Sequence, residues 1–144
     1  MATGIQTLKM TPLQTRRESS REKIGSRPVF RSFGESGFTL EITKTQLIKS
    51  TINANKTVRR ALRKAELFDF SGILPGGKEV LPCTLRLGGQ VIITEASFLI
   101  PKRRGDSSPE PRFWPYKLNR HSSAGSLLWF IAHEDHLEVR DTKP

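Results

Sequence analysis

The sequence CTLRLGGQVIITEASFLI, residues 83–100, predicts two β-strands joined by a tight turn. From Cys83 to Leu87 apolar residues alternate with polar ones, and this period of two is typical of a strand that buries one face. The consecutive glycines Gly88 and Gly89 predict a hairpin turn after it. The run from Val91 to Ile100 is long, β-branched and partly aromatic, which indicates a strand in the middle of a sheet. A β-hairpin is therefore expected here.

Short β-like segments lie on both sides of this hairpin. They are Phe38 to Ile42, a short stretch at Ile52, Phe113 to Tyr116, Ser126 to Ala132, and His136 to Arg140. Residues 44–53 are polar and basic, and we interpret them as a loop that leads into the short second strand. With the hairpin, these segments make six or seven short strands, which predicts a mainly β fold, either a small barrel or a sandwich.

One amphipathic helix is expected between the second strand and the hairpin, from about Thr57 to Phe68. Its apolar residues, at positions 58, 61, 62, 65 and 68, recur at three- and four-residue steps and form one inward stripe. Asn55 or Thr57 can cap its first turn. The basic residues Arg59, Arg60, Arg63 and Lys64 fall largely on the other side, where a solvated surface and a binding face are both open interpretations.

Length and composition divide the chain into a leader and one domain. A chain of 144 residues is long enough for a single domain with a modest core. Residues 1–28 are rich in Thr, Ser, Arg and Lys, so they cannot bury enough apolar surface to offset the entropy of ordering. We expect a flexible basic leader over residues 1–28 and a folded domain over residues 29–144. The alternative is an arm that grips the DNA backbone through Arg16, Arg17, Arg21 and Lys23.

The charge of the chain favours a polyanionic partner. Its formal net charge is +10 and its isoelectric point is about 10.4. Clustered Lys and Arg gain affinity for nucleic acids by displacing counterions from phosphates. Basic residues are concentrated in residues 1–65, with 14 basic and 4 acidic side chains, and in residues 101–121, with 6 and 2. In residues 66–100 and 122–144 the acids outnumber the bases.

Cysteine usage and hydropathy exclude several classes of protein. Cys83 is the single cysteine, so the chain can form neither an internal disulfide nor a cysteine-rich zinc site. The N-terminus lacks the apolar core of a signal peptide, and no eighteen apolar residues follow one another. These features predict a soluble protein of the reducing cytoplasm.

No motif singles out a catalytic or metal-binding centre. His133 and His136 are three residues apart in a predicted hairpin turn, whereas metalloprotease histidines are four apart on a helix. Cys83 alternates with strand hydrophobics, which favours a buried packing residue. A nuclease needs convergent carboxylates, and two sets without a distinctive spacing are Glu41 with Lys44, and Asp69 with Glu79 and Glu95. We therefore expect no catalytic residue, metal or cofactor in this chain.

The segment IPKRRGDSSPEPRFWPYKLNRHSSAG, residues 100–125, is basic and interrupted by prolines, and we predict that it enters a nucleic-acid groove. Its basic residues Lys102, Arg103, Arg104 and Arg112 flank a loop that contains Asp106 and Glu110. Arginine can bind a guanine edge through two hydrogen bonds and carboxylates accept from cytosine, so this mixture suits base recognition. The alternative is that the two acids only pair with neighbouring arginines. Trp114 and Tyr116 are candidates for stacking on a sugar or base, or for the core.

The order of these elements resembles the B-three DNA-binding pseudobarrel. The matching features are the strand FTLEI, the turn TKTQL, STIN followed by Asn55-Lys56, a helix ending in LFDF, a long strand, a basic arm, and RFWPYKLNR with AGSLLWF. They cover roughly residues 36–140, and they are most similar to the N-terminal effector-binding domain of EcoRII-type restriction endonucleases. Plant members of the fold carry Ile-Pro and Gly-Asp where Ile52-Asn53 and Ala124-Gly125-Ser126 stand here. The resemblance implies a mainly β, seven-stranded open β-barrel with one or two helices.

The resemblance also implies that two arms grip the DNA major groove. The N-arm corresponds to Lys44 to Asn53, and the C-arm to Lys102 to Trp114. The N-arm candidates are Lys44, Thr45, Gln46, Lys49, Ser50, Thr51 and Asn53. The C-arm candidates are Lys102, Arg103, Arg104, Asp106, Glu110, Arg112 and Trp114. Phosphate contacts are expected from Lys56 at the start of the helix, and from Asn119, Arg120 and His121.

We therefore interpret the chain as a domain that binds double-stranded DNA sequence-specifically. It resembles the recognition or effector part of a type II restriction endonuclease, with cleavage carried out by another domain. A C-terminal catalytic domain in a full-length protein would fit this interpretation. Two alternatives stay open: a complete small Mg-dependent nuclease, and an RNA-binding basic protein.

Overall fold

The computed structural model describes residues 28–105 and 109–144. In this part of the chain, eight strands and three short α-helices surround one hydrophobic core. In chain order the elements are β1 Phe30–Ser32, β2 Gly37–Glu41, α1 Lys44–Lys49, β3 Ile52–Asn53, α2 Lys56–Lys64, a 3-10 turn Phe70–Gly72, β4 Lys78–Leu87, β5 Gln90–Leu99, β6 Arg112–Pro115, α3 Leu118–His121, β7 Leu127–Ala132 and β8 Leu137–Arg140.

The hairpin of β4 and β5 supplies the longest strands of the sheet. Each strand has ten residues, and they pair in antiparallel register along their whole length. Gly88 and Gly89 form the turn with φ angles of 59° and 75°. Two positive φ angles in a two-residue loop are typical of the type I′ turn, which matches the twist of the paired strands. The predicted hairpin is confirmed, although β4 begins at Lys78 rather than Cys83.

The strand order across the sheet is β1-β2-β7-β8-β4-β5-β6-β3. All neighbouring strands are antiparallel except β4 and β8, which are parallel. β5 is flanked by β4 and β6, which confirms the predicted interior position of this strand. β8 is the last strand in sequence, yet it lies in the centre of the sheet between β7 and β4.

Aromatic rings show how strongly the sheet curls. Phe38 of β2 and Phe113 of β6 are separated by four intervening strands in the sheet order. Their ring centroids are nevertheless 6.1 Å apart, in an edge-to-face contact. Phe130 stacks on Phe38 at 4.8 Å, and Phe98 lies 6.2 Å from Phe113. Since these four side chains are fully buried, they fill the interior of an open half-barrel.

α2 packs against β1 and β2 at one edge of the sheet. Its buried residues belong to the predicted apolar stripe and are Val58, Ala61 and Leu62. The side-chain oxygen of Asn55 accepts a hydrogen bond from Val58 N–H at 3.1 Å, so Asn55 is the N-cap as predicted. The helix ends at Lys64 rather than Phe68, because the chain reverses at Glu66 with a positive φ of 60°.

The mainly β class is confirmed, while the counts of strands and helices differ from the prediction. The described residues form eight strands rather than seven, since β1 pairs with β2 although its sequence shows no alternation. They form three α-helices rather than one or two. α1 occupies residues that were predicted as a loop, and α3 is a single turn after β6.

Thr43 and Gln46 explain why residues 44–49 are helical. Gln46 N–H donates to the Thr43 hydroxyl at 3.2 Å, and Thr43 N–H donates to the Gln46 side-chain oxygen at 2.8 Å. This reciprocal capping box satisfies two N–H groups that a helix start otherwise leaves unpaired. The Thr-x-x-Gln pattern is thus the sequence signal for α1.

We expect Thr43→Ala to lower the free energy of unfolding by about 0.5–2 kcal/mol, the usual effect of losing an N-cap side chain. Urea denaturation followed by circular dichroism measures the change. Thr45→Ala is the matched control, because Thr45 is exposed in the first turn of the same helix and alanine favours helix. An equal loss in both variants would contradict the capping box as the cause.

Candidate nucleic-acid interface

The two predicted arms meet where β3 pairs with β6. Asn53 lies opposite Arg112 and Ile52 lies opposite Phe113 in this antiparallel pair. Ala54 N–H donates to the Pro111 carbonyl at 2.8 Å and extends the pairing by one bond. The N-arm and the C-arm therefore share one edge of the sheet, although some sixty residues separate Asn53 from Arg112 in the sequence.

The antiparallel register also sets the direction of each arm. The segment that leads into β3 approaches the pair at the Phe113 end, whereas the segment that leads into β6 approaches at the Asn53 end. Residues 44–51 and residues 109–111 consequently flank the edge from opposite ends. β3 is the last strand of the sheet on this side, so no further strand separates the edge from a ligand within the described residues.

Most of the N-arm candidates are accessible. Lys44, Thr45, Lys49 and Ser50 are exposed on or directly after α1, Asn53 is exposed on β3, and Thr51 is half-buried. Ser50 ends α1 in the left-handed conformation with φ 51°, and its N–H donates to the Gln46 carbonyl. Gln46 differs from the other candidates, because its side chain is only 7% exposed and forms the capping box that holds α1.

Sequence reasoning missed Ile48, which is 70% exposed on α1. Its neighbours in the chain, Leu47 and Lys49, are half-buried and exposed respectively. An apolar side chain displayed among basic and hydroxyl side chains can contact the methyl group of thymine. The helical period that α1 imposes was the missing information, since a loop gives no reason for Ile48 to point outward.

The C-arm candidates in the described chain are mostly exposed as well. These are Lys102, Arg103, Arg104, Glu110 and Arg112. The side chain of Lys102 lies beside Gly76, in the loop before β4. Gly76 N–H donates to the Ile100 carbonyl. The base of the arm is thereby fixed to the Pro75-Gly76-Gly77 loop.

Two candidates of the C-arm have a different outcome. Trp114 is only 6% exposed and belongs to the hydrophobic core, so the structure gives it a packing position. It pairs with the buried Ser97 on β5. Asp106, like the leader residues Arg16, Arg17, Arg21 and Lys23, lies outside the described residues.

Lys56 is exposed at the first position of α2 and lies just beyond the β3–β6 pair. The N-terminus of a helix carries partial positive charge, which favours a phosphate beside it. Arg59 was not predicted to act here, but its guanidinium donates to the Ala54 carbonyl at 2.6 Å. This bond ties the first turn of α2 to the end of β3, so it fixes Lys56 relative to Asn53.

A second basic cluster lies at α3. Asn119, Arg120 and His121 are all exposed, and α3 packs against α1. Arg120 and His121 line an open cleft of about 360 Å³ with Ser122, Ser123, Ser126, Leu87, Leu128 and Asp141. The Ser122 hydroxyl is buried and has no hydrogen-bond partner among the described residues, while Asp141 accepts from Gly88 N–H at 2.8 Å. A guanidinium, an imidazole and several hydroxyls are groups that bind phosphate oxygens.

The three carboxylates Asp69, Glu79 and Glu95 that were considered for a nuclease do not all share one cleft. Asp69 and Glu79 line one cleft, whereas Glu95 lines another beside Tyr116. Asp69 accepts hydrogen bonds from the Ser71 N–H and hydroxyl at 3.0 and 2.8 Å, and these bonds lower its pKa. Its side chain thus caps the 3-10 turn.

The β7–β8 turn holds a separate cluster of titratable side chains. The predicted turn is confirmed, because Ala132 pairs with Leu137 and His133 N–H donates to the His136 carbonyl at 2.9 Å. Glu138 is 8% exposed and lies 2.8 Å from His133 Nε2, with Arg86 at 3.0 Å and Arg140 at 3.6 Å. Burial opposes its ionisation, but the His133 bond and the two guanidiniums outweigh burial and lower the pKa of Glu138.

We expect Glu138 to make folding stability acid-sensitive. In the folded chain the pKa of the Glu138 carboxyl lies below the ordinary 4.5. Its ionised form therefore stabilises the fold fully above pH 4.5, and this stabilisation is lost as the pH falls through the folded pKa. Glu138→Gln should flatten the rise of unfolding free energy with pH in the acidic range, measured by denaturant titration in a chelator-containing buffer. Glu134→Gln, on the exposed part of the same turn, is the matched control and should keep the wild-type slope.

Cys83 is 1% exposed on β4, which confirms the predicted packing residue. Burial raises the pKa of its thiol to about 12. The thiolate that would act as a nucleophile is therefore strongly disfavoured near neutral pH.

Comparisons of the chain with protein-family models, with curated proteins and with solved structures find no match in any of the three. In residues 28–105 and 109–144, no helix combines the length and the apolar character that crossing a bilayer requires.

Proposed function

We propose that this chain binds double-stranded DNA sequence-specifically through the major groove, with the N-arm and C-arm flanking the β3–β6 edge. The observation that carries the proposal is the pairing of Asn53 with Arg112. It brings an amide and a guanidinium, both exposed, to adjacent positions on an open edge. These are the side chains that recognise adenine and guanine edges in the major groove.

The charge of the two arms supports the proposal. The exposed cations of the two arms are Lys44, Lys49, Lys102, Arg103, Arg104 and Arg112, and Lys56 lies beside them at the start of α2. Glu110 is the exposed acid among the described residues of these segments. Such a surface attracts phosphates, while the exposed hydroxyls of Thr45 and Ser50 and the apolar Ile48 can contact base edges.

The residues proposed to contact phosphates lie near both ends of the β3–β6 edge. Lys56 lies at the Asn53 end of the edge, and α3 packs against α1, the helix at the other end. Backbone contacts at both ends would fix the register of the arms on the duplex, because phosphate contacts position a protein and base contacts specify its sequence. We propose that the cleft lined by Arg120 and His121 holds one such phosphate.

In this proposal the chain acts as the recognition or effector domain of a restriction endonuclease, with cleavage in a separate domain. In the alternative of a complete Mg-dependent nuclease, Asp69 and Glu79 would supply the carboxylates, since they line one cleft that Glu95 does not share. An RNA-binding protein would carry the same charge but would prefer unpaired or structured RNA.

The test is selection from a random duplex-DNA pool in the presence of a chelator, followed by gel-shift of the enriched sequence. We expect a short motif that binds at least about 10³-fold more tightly than a scrambled duplex at physiological salt. Equal affinity for all duplexes and for RNA would contradict the proposal. Cutting of the enriched duplex after addition of Mg²⁺, abolished by Asp69→Asn, would favour the nuclease.

A further inference from the structure

The β7–β8 turn brings two imidazoles and one carboxylate together. One ligand atom from each of His133, His136 and Glu138 lies within 4.8 Å of the other two. The histidine rings stack with centroids 4.3 Å apart and an interplanar angle of 12°. No other group of three such side chains comes as close in the described residues 28–105 and 109–144. The hairpin supplies Glu138 as the third member, which the spacing of the two histidines could not indicate.

Neighbouring side chains orient two of these groups. His136 Nδ1 lies 2.8 Å from an Asp135 carboxylate oxygen, so an Nδ1–H donor leaves the Nε2 lone pair available. Arg86 holds Glu138 Oε2 at 3.0 Å, and the other oxygen, Oε1, points to His133 Nε2 at 2.8 Å. Metal-binding histidines almost always donate their second ring N–H to a carboxylate, carbonyl or water, and metal-binding carboxylates are in turn hydrogen-bonded.

We propose that this turn binds a divalent transition-metal ion of the zinc class, with His133, His136 and Glu138 as ligands. Two histidines and one carboxylate form a three-ligand zinc set with a fourth position for water. At metal bonds of about 2.0–2.2 Å, ligand atoms of a tetrahedral ion lie about 3.4 Å apart. The two histidine side chains have room to rotate toward this spacing, because they are 39% and 32% exposed. The Arg86 and Arg140 contacts leave Glu138 Oε1 free to replace its His133 bond with a metal bond.

The competing explanation is a metal-free ion-pair network that only stabilises the turn. Both explanations use the same contacts, but they differ in what a metal titration shows. A ligand set binds one ion with an affinity that depends on all three side chains, whereas a structural network gives no binding that these side chains control. The measurement contains no DNA, so its outcome is independent of the proposed DNA function.

The experiment is calorimetric titration of untagged, chelator-treated full chain with Zn²⁺, together with the visible absorption of Co²⁺ as a probe of coordination. We expect one ion per chain, and Co²⁺ bands of four- or five-coordinate geometry that Zn²⁺ abolishes. His133→Ala, His136→Ala and Glu138→Gln should each weaken binding at least tenfold. Glu134→Gln is the matched control, since Glu134 is exposed on the same turn but is not among the three proposed ligands, and it should bind like the wild type.

Asp135→Asn tests the positioning role separately. Loss of such an outer partner typically weakens binding 10- to 100-fold, so the Co²⁺ bands should persist at higher metal concentration. Circular dichroism confirms that each variant is folded, and His136→Gln replaces His136→Ala if the latter unfolds. Wild-type affinity in the His133 and His136 variants, or an equal loss in Glu134→Gln, would overturn the proposal.

Discussion

Phe113→Ala is expected to lower the free energy of unfolding by about 3–5 kcal/mol, the range for removing a buried phenylalanine from a packed core. Phe113 is 1% exposed on β6. Its ring contacts those of Phe38, Phe98 and Phe130 at centroid distances of 6.1, 6.2 and 5.9 Å. Alanine would leave a cavity between β2, β5 and β7 at the point where the half-barrel curls on itself.

The measurement is chemical denaturation monitored by circular dichroism. Ile93→Ala is a matched control on the neighbouring strand β5, because Ile93 is 74% exposed. Ile93→Ala should lower the free energy of unfolding by less than about 1 kcal/mol, as is usual for surface strand positions. A Phe113→Ala effect no larger than that of Ile93→Ala would mean that the ring does not join the strands of the barrel.

Arg112→Ala is expected to cost about 1–3 kcal/mol in binding the selected DNA sequence, the value of a good bidentate base contact. This corresponds to a loss of about 5- to 150-fold in affinity. Arg112 is exposed and lies beside Asn53 at the proposed centre of the interface. Its affinity for a scrambled duplex should change far less, and gel-shift on both duplexes measures the difference.

Two variants separate base recognition from phosphate contact. Arg112→Lys keeps the charge but loses the planar fork of the guanidinium, so most of the specific affinity should be lost if Arg112 reads a base. Lys56→Ala should weaken cognate and scrambled duplexes alike and reduce the salt dependence by about one unit of slope. Equal losses on both duplexes from Arg112→Ala would contradict base recognition by this residue.

Local sequence signals predicted the parts of the fold that depend on local geometry. The Gly88-Gly89 turn, the Asn55 cap and the interior strand β5 follow from short-range rules. α1 was missed because residues 44–53 were interpreted as a loop from their polar and basic composition, which does not reveal the Thr43 and Gln46 capping box. β1 was missed because a three-residue strand at the edge of a sheet has no alternation to detect.

The candidate site likewise has a part that the sequence predicted and a part that depends on long-range pairing. Composition identified the basic arms, but long-range pairing decided which of their residues face solvent. Gln46 and Trp114 are polar or amphipathic in type, yet one caps a helix and the other packs in the core. The pairing of Asn53 with Arg112 joins segments far apart in sequence, and no local pattern contains that register. Glu138 meets His133 only because the β7–β8 register sets it there.

The central position of β8 has a consequence for the order in which the chain folds. β1 and β2 lie on one side of the sheet and β4, β5, β6 and β3 on the other, and β7 and β8 join them. During synthesis, the β4–β5 hairpin can form early, but it can join β2 in one hydrogen-bonded sheet only after residues up to Arg140 have left the ribosome. Such late, non-local pairing makes folding slow and leaves strand edges open in the meantime. Nascent chains that stall before β8 should therefore stay incompletely folded and prone to aggregation.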